Sequence, residues 1–240
     1  MWKISSSKTV HLRRHFYQFV EFAMKNFYVI NWTNIRAQTL LEVADTTFGP
    51  YKDYTLCNLI RVHCCKAVED MRKPFGIKDL EIIWENTFMI DPTSLPRTLP
   101  SPPIHPALEI KYEDEINRVT DSVSKKLYFG KDPNLELHPN SRPLKFDKTN
   151  TILLEARHSS GNPQPDNLIM VSKIRSLKNI ENDTTLLILK DYLDTMATQY
   201  RSEFDKCEVK GIEFNFSVQD YMKNNPFKES HSLSSSDTKF

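Results

Sequence analysis

Apolar positions recur at helical spacing through much of the first 90 residues. Over 10–28 they fall at Leu12, Phe16, Phe19, Val20, Ala23, Met24 and Phe27, which one broad helix face accommodates. Residues 34–45 align Ala37, Leu40, Leu41 and Ala44, and Gly49-Pro50 supplies a stop signal beyond them. The most regular pattern runs over 54–71, where Leu56, Leu59, Ile60, His63, Cys64, Ala67, Val68 and Met71 follow the 3.6 period. Asp53 suits its N-cap, and Pro74 bars continuation. Residues 78–88 admit two readings: Leu80, Ile83, Trp84 and Phe88 suit a helix, while the apolar run 80–84 suits a strand.

The pattern then breaks. Six prolines (Pro92, Pro96, Pro100, Pro102, Pro103 and Pro106) lie between Asp91 and Ala107. Proline fixes φ and lacks the amide donor, so this run predicts an extended, semi-rigid linker or strap. Beyond it, Tyr112, Ile116, Val119, Val123 and Leu127 predict a helix over 112–128, with Glu113-Asp114-Glu115 in its first turn complementing the helix dipole. Residues 130–150 read as loop. Strands are predicted at Thr151–Arg157 and Leu168–Ile174, joined as a hairpin by a tip dense in turn formers. A long helix follows over 183–204, with Leu186, Leu189, Leu193, Met196, Ala197, Tyr200 and Phe204 aligned and Asp183 as its cap. Val209, Ile212, Phe214 and Phe216 predict a last strand over 207–216, with Gly211 marking a bulge.

Together these elements predict an α+β chain. It has a helical N-terminal part (1–90), a proline-rich linker (91–107), a domain over 108–222 and a serine-rich disordered tail (223–240). The domain has the order α-β-β-α-β, a small antiparallel sheet with helices on one face. Cutting within the linker is expected to release a second piece that folds alone.

Composition narrows function mainly by exclusion. Only 5 glycines occur, all isolated, so neither a dinucleotide fingerprint nor a phosphate-binding Walker loop can be present. No apolar run reaches the length of a membrane span. Four cysteines without a CxxC pair provide neither a common zinc spacing nor a disulfide framework, which points to a reducing intracellular compartment. His63 and Cys64 sit on the apolar stripe of their predicted helix, about 100° apart, so they read as core rather than as a nucleophile and its base. His158 with Asp166 is the one conceivable acid–base pair, two residues on a loop with nothing to position them. No cofactor, metal or small-molecule substrate is expected, and the chain reads as not an enzyme.

Five features point to targeting or partners. Residues 1–20 lack any acid and carry Lys3, Lys8, Arg13 and Arg14 with several hydroxyl residues, the composition of a mitochondrial transit peptide. Their continuation, His15 to Phe22, is as aromatic as a core. Net charge is only +1 over the whole chain, yet 142–178 is locally basic: Arg142, Lys145, Lys148, Arg157, Lys173, Arg175 and Lys178 against three acids. A basic hairpin could grip phosphates, although the strands lack aromatic residues for base stacking. Pro100, Pro103 and Pro106 fit two overlapping P-x-x-P patterns, which extended proline segments present to docking grooves. Ser101-Pro102 fits a proline-directed phosphosite. Asn225-Pro226-Phe227 resembles the tripeptide bound by EH domains of endocytic adaptors.

The expectation is therefore a non-catalytic assembly subunit of an intracellular complex, held by other protein subunits. A mitochondrial ribonucleoprotein such as the mitochondrial ribosome is the setting its composition favours, with the matrix preferred over nucleus or cytosol and RNA near the basic hairpin. The alternative is a stand-alone nucleic-acid-binding module that uses that hairpin.

Overall fold

A computed structural model describes residues 2–4, 9–34, 40, 43, 47–48, 51, 54–66, 76–90, 109–111, 142–156, 162–174, 180 and 182–229. Helices combine with several small sheets, so the chain is α+β. The proline-rich segment, with Pro100, Pro103 and Pro106, and the helix predicted over 112–128 lie outside the described residues.

The N-terminal segment is less helical than its periodicity predicts. Strands β1 (Trp2–Ile4) and β2 (Thr9–Leu12) pair antiparallel, and helix α1 starts only at Phe16 and ends at Asn26. His15 separates strand from helix with φ 62°, a left-handed conformation that histidine tolerates better than most side chains. Val10 and Leu12 are fully buried within β2, which serves as the central strand of a three-stranded sheet.

The sharpest correction concerns 54–71. Its described part holds strand β4 (Cys57–Leu59), a 3-10 turn (Arg61–His63) and strand β5 (Cys65–Lys66). Strand β3 (Ile30–Trp32) pairs with β4 in parallel, Ile30 opposite Cys57 and Trp32 opposite Leu59. Cys57 and Leu59 face the core while Asn58 turns the other way to accept a bond from Asn31 Nδ2 at 3.2 Å. Apolar residues at 56, 57, 59 and 60 satisfy a helical period and a strand alternation alike, and pairing with β3 decides between them.

Strand β6 (Gly76–Ile77) pairs antiparallel with β5. A Cβ at Gly76 would lie 2.0 Å from the Cys64 Cβ, so the residue must be glycine for the two segments to meet. Gly76→Ala is expected to cost about 1–3 kcal/mol, the cost of overpacking, read as a lower urea midpoint at unchanged m. An unchanged midpoint would show that the contact gives way freely.

Both readings of 78–88 are partly right. A single helical turn, α2 (Glu81–Trp84), precedes strand β7 (Thr87–Ile90). Strand β8 (Glu109–Lys111) completes the first sheet against β2. Strand β9 (Arg142–Lys145), in a region predicted as loop, pairs antiparallel with β7. Pro143 fits there because a two-stranded ribbon leaves one backbone edge unpaired.

The expected hairpin is not a hairpin. Strands β10 (Leu153–Glu155) and β11 (Leu168–Met170) are parallel, Leu153 opposite Leu168. The turn formers between them make a connection of twelve residues, 156–167, long enough to return the chain in the same direction.

Helix α3 (Thr185–Lys210) matches the predicted long helix at its start and outruns it at its end. Its N-cap is Thr184, and Asp183 supports it by accepting the Thr185 amide at 3.0 Å. No strand forms over 207–216: the helix continues to Lys210, and helix α4 (Val218–Asn224) follows a short irregular return. Gly211 is a helix terminator rather than a bulge. At φ 62° it donates its amide to Glu208 O, and Ile212 donates to Cys207 O, the paired bonds of a Schellman cap.

Two apolar clusters organise these elements, and each draws on both sides of the proline-rich segment. The larger joins Val10, Leu12, Phe16, Phe19 and Val20 to Ile169, Val171, Leu186, Leu189, Leu193, Met196 and Tyr221. The smaller joins Trp32, Leu59, Leu80, Ile83 and Phe88 to Phe146 and Leu153. The piece 108–222 alone would therefore leave α3 without α1 and β2, so cutting at 91–107 is not expected to release a self-folding unit. Residues 223–229, expected to be tail, belong to the folded body through the half-buried Phe227 and the Glu229 carboxylate, which accepts the Ser172 amide at 2.7 Å.

Candidate interaction surface

The last turns of α3 follow directly from the helix's apolar stripe. Leu186, Leu189, Leu193, Met196 and Ala197 are buried, but from Thr198 to Lys210, about 20 Å of helix, no residue is. The stripe continues as Tyr200 and Phe204, and the return segment folds back to cover it. Phe214 packs on Tyr200 at 4.9 Å and on Phe204 at 5.4 Å, and Phe216 packs on Tyr200 at 5.3 Å, all edge-on. The Schellman cap makes this reversal possible, since only a left-handed residue turns the chain sharply enough at Gly211.

Coverage is incomplete at the tip. Val209 is 88% exposed, Ile212 57% and Phe204 46%. Of the five large hydrophobic residues that are exposed among those described, four lie here; Tyr28 is the other. The rim is charged with both signs, by Asp205, Glu208, Lys210 and Glu213, all exposed. Apolar centre and charged rim together are the anatomy of a protein-binding patch.

The base of α3 is held far more tightly. Arg13 Nε donates to Asp183 Oδ2 at 2.6 Å, and Arg13 Nη2 donates to Ser172 Oγ at 3.2 Å. Burial works against the ionised Asp183 carboxylate, but the Thr185 amide and hydroxyl and the Arg13 guanidinium outweigh it and hold the group below its usual range. A second polar network ties the loops beneath α4 to the body. The fully buried Asn167 donates to Lys148 O at 2.8 Å and Thr151 O at 2.7 Å and accepts from Gln219 Nε2 at 2.8 Å. Gln164 bridges Leu80 N and Asp79 Oδ1, and Trp84 Nε1 reaches Thr151 Oγ1. Such a network specifies one arrangement of loops because each group has found its partner.

The residues considered for chemistry are dispersed. Cys57 is buried, and burial pushes its thiol up to about 12, which keeps it protonated and unreactive. His63 and Cys64 are half-buried at a 3-10 turn rather than in a helix stripe. His63 Nδ1 accepts the Ile60 amide at 3.0 Å, and burial lowers the ring's proton affinity. Asp166 is exposed on the Pro165–Asn167 turn, and His158 lies outside the described residues. Among the described residues no group of three His, Cys, Asp or Glu could hold a metal ion, and no helix is long and apolar enough to cross a membrane.

Of the basic residues, Lys145 and Lys148 are exposed at and just after the end of β9, and Lys173 is exposed beyond β11. Arg142 is in β9 with an undescribed side chain, and Arg157, Arg175 and Lys178 lie outside the described residues. Lys173 falls within the strand predicted over Leu168–Ile174 but lies beyond β11, which ends at Met170. Arg13, Val209 and Ile212 are the residues whose roles the sequence did not disclose. Gly211 directly after Lys210, at the end of a helical period, was the available signal for the last two. A comparison with protein-family models gives no match. A comparison with curated proteins gives none either.

Proposed function

We propose that this chain is a non-catalytic subunit of a larger assembly and docks on a protein neighbour through the tip of α3. The observation that carries this reading is the concentration of exposed apolar residues at Phe204, Val209 and Ile212, on an element whose base is locked to the body. Exposed apolar clusters cost solubility, and a rigid helix end that presents one spends little ordering entropy on binding. The acid-poor, basic first twenty residues support a mitochondrial ribonucleoprotein as the setting, with the segment retained, since Val10 to Val20 help form the core.

Affinity purification at native abundance, with mass spectrometry and RNA detection, tests the proposal. The wild-type chain is expected to bring down a stable protein neighbour. The double substitution Val209→Asp with Ile212→Asp is expected to reduce that recovery at least about tenfold, as loss of an interface centre does. Its thermal unfolding should stay within about 0.5 kcal/mol of wild type, since both side chains are exposed. Recovery of the same neighbour by the double variant, or of none by the wild type, would sink the reading. RNA bound by the purified chain without protein would favour the nucleic-acid module instead.

A further inference from the structure

The Asn-Pro-Phe tripeptide is part of the folded body. Asn225 ends α4: its amide and its Nδ2 both donate to Tyr221 O, at 2.8 and 3.1 Å. Tyr192 Oη donates to Asn225 O at 2.8 Å. The Phe227 ring stands edge-on to Tyr192 at 5.4 Å, and Tyr192 packs in turn on Tyr221 at 5.9 Å. Two residues on, the Glu229 carboxylate accepts the Ser172 amide at 2.7 Å. Between these anchors Asn225, Pro226 and Lys228 are exposed.

The strap 225–229 is thus held by the Tyr192 hydroxyl at Asn225, the Phe227 ring on Tyr192 and the Glu229 carboxylate, and has no regular secondary structure of its own. Segments held by so few contacts open more readily than the body that carries them. Phe227 is half-buried, edge-on to Tyr192 and packed against the larger core, so part of the ring stays accessible while the latch is closed.

We propose that Asn225-Pro226-Phe227 is a partner-binding motif held in reserve by this latch. A protein pocket that accepts a phenyl ring carried on an Asn-Pro turn engages it only when Phe227 leaves Tyr192. The closed latch competes with the partner, so apparent affinity falls in proportion to the open fraction. The surface involved is separate from the α3 tip, and the proposal stands or falls apart from the docking function above.

The test uses the full chain and an immobilised EH domain as the probe pocket. Tyr192→Ala removes the ring contact and the hydroxyl bond while leaving the tripeptide intact. It is expected to tighten binding at least about tenfold over wild type, the release of that conformational tax. Glu229→Ala removes the exposed bond to the Ser172 amide and should tighten binding in the same direction. Adding Phe227→Ala to either variant should abolish binding. Tryptic cleavage after Lys228 is expected to accelerate in the same order, which reports latch opening without the probe. Binding by Tyr192→Ala and Glu229→Ala no tighter than by wild type would overturn the latch, and binding that survives Phe227→Ala would overturn the motif. Failure of every variant to bind would overturn the partner class.

Discussion

Deletion of residues 1–20 is expected to leave a chain without a cooperative unfolding transition. The deletion removes β2, the central strand of its sheet, and the first five residues of α1. It takes Val10, Leu12, Phe16, Phe19 and Val20 out of the larger core, where each is at most 3% exposed. At about 1.5–3 kcal/mol for each such side chain, the loss is roughly 7–15 kcal/mol, comparable to the whole stability of an ordinary domain. Circular dichroism through a thermal ramp checks this, and a sigmoidal transition near that of the full chain would refute it. A protease that removed the first twenty residues would take this part of the core with them.

Arg13→Leu is expected to be the most damaging single change in the described polar set, at about 3–5 kcal/mol, because it strands the Asp183 carboxylate in a buried site. The side chains are 4% and 13% exposed, so solvent screens the pair little. Pairing Arg13→Leu with Asp183→Asn should recover much of the loss, since asparagine still accepts the Thr185 amide and no buried charge is left. The dependence on pH has a definite sign. Asp183 is held below its unfolded value, so its contribution is present at neutral pH and is lost as pH falls through the lowered folded value. The gap between wild type and Arg13→Leu should therefore narrow in strong acid, once Asp183 is protonated and no longer needs the guanidinium. Urea midpoints at neutral pH and in strong acid measure it. A gap that stays constant would mean the leucine acts through packing alone.

How far the sequence could be read differs from element to element. Helix α3 was legible because its apolar stripe repeats over five turns and its outer face is polar, a pattern that no strand tolerates. The stretch from Leu56 to Cys64 was misleading for the opposite reason. It is short, its apolar residues fit a helix and a strand alike, and pairing decides: Cys57–Leu59 joins β3, and Cys65-Lys66 just beyond it joins Gly76-Ile77. Gly211 suggests a bulge because the residues beyond it alternate; they alternate to place Phe214 and Phe216 against Tyr200, not to join a sheet. The basic hairpin was an inference from turn formers, which announce that the chain turns but not how far.

Composition and local periodicity by themselves determined the α+β class, the long helix and its start near Asp183, and the lack of glycine-built phosphate loops. Those properties depend on residues a few positions apart. Only the tertiary structure decided that β10 and β11 run parallel, that Arg13 belongs to Asp183, and that the apolar end of α3 is left uncovered while Phe227 is tucked in. Each of these compares the burial and pairing offered by distant segments, and a side chain's own neighbours in sequence carry no record of which distant partner wins.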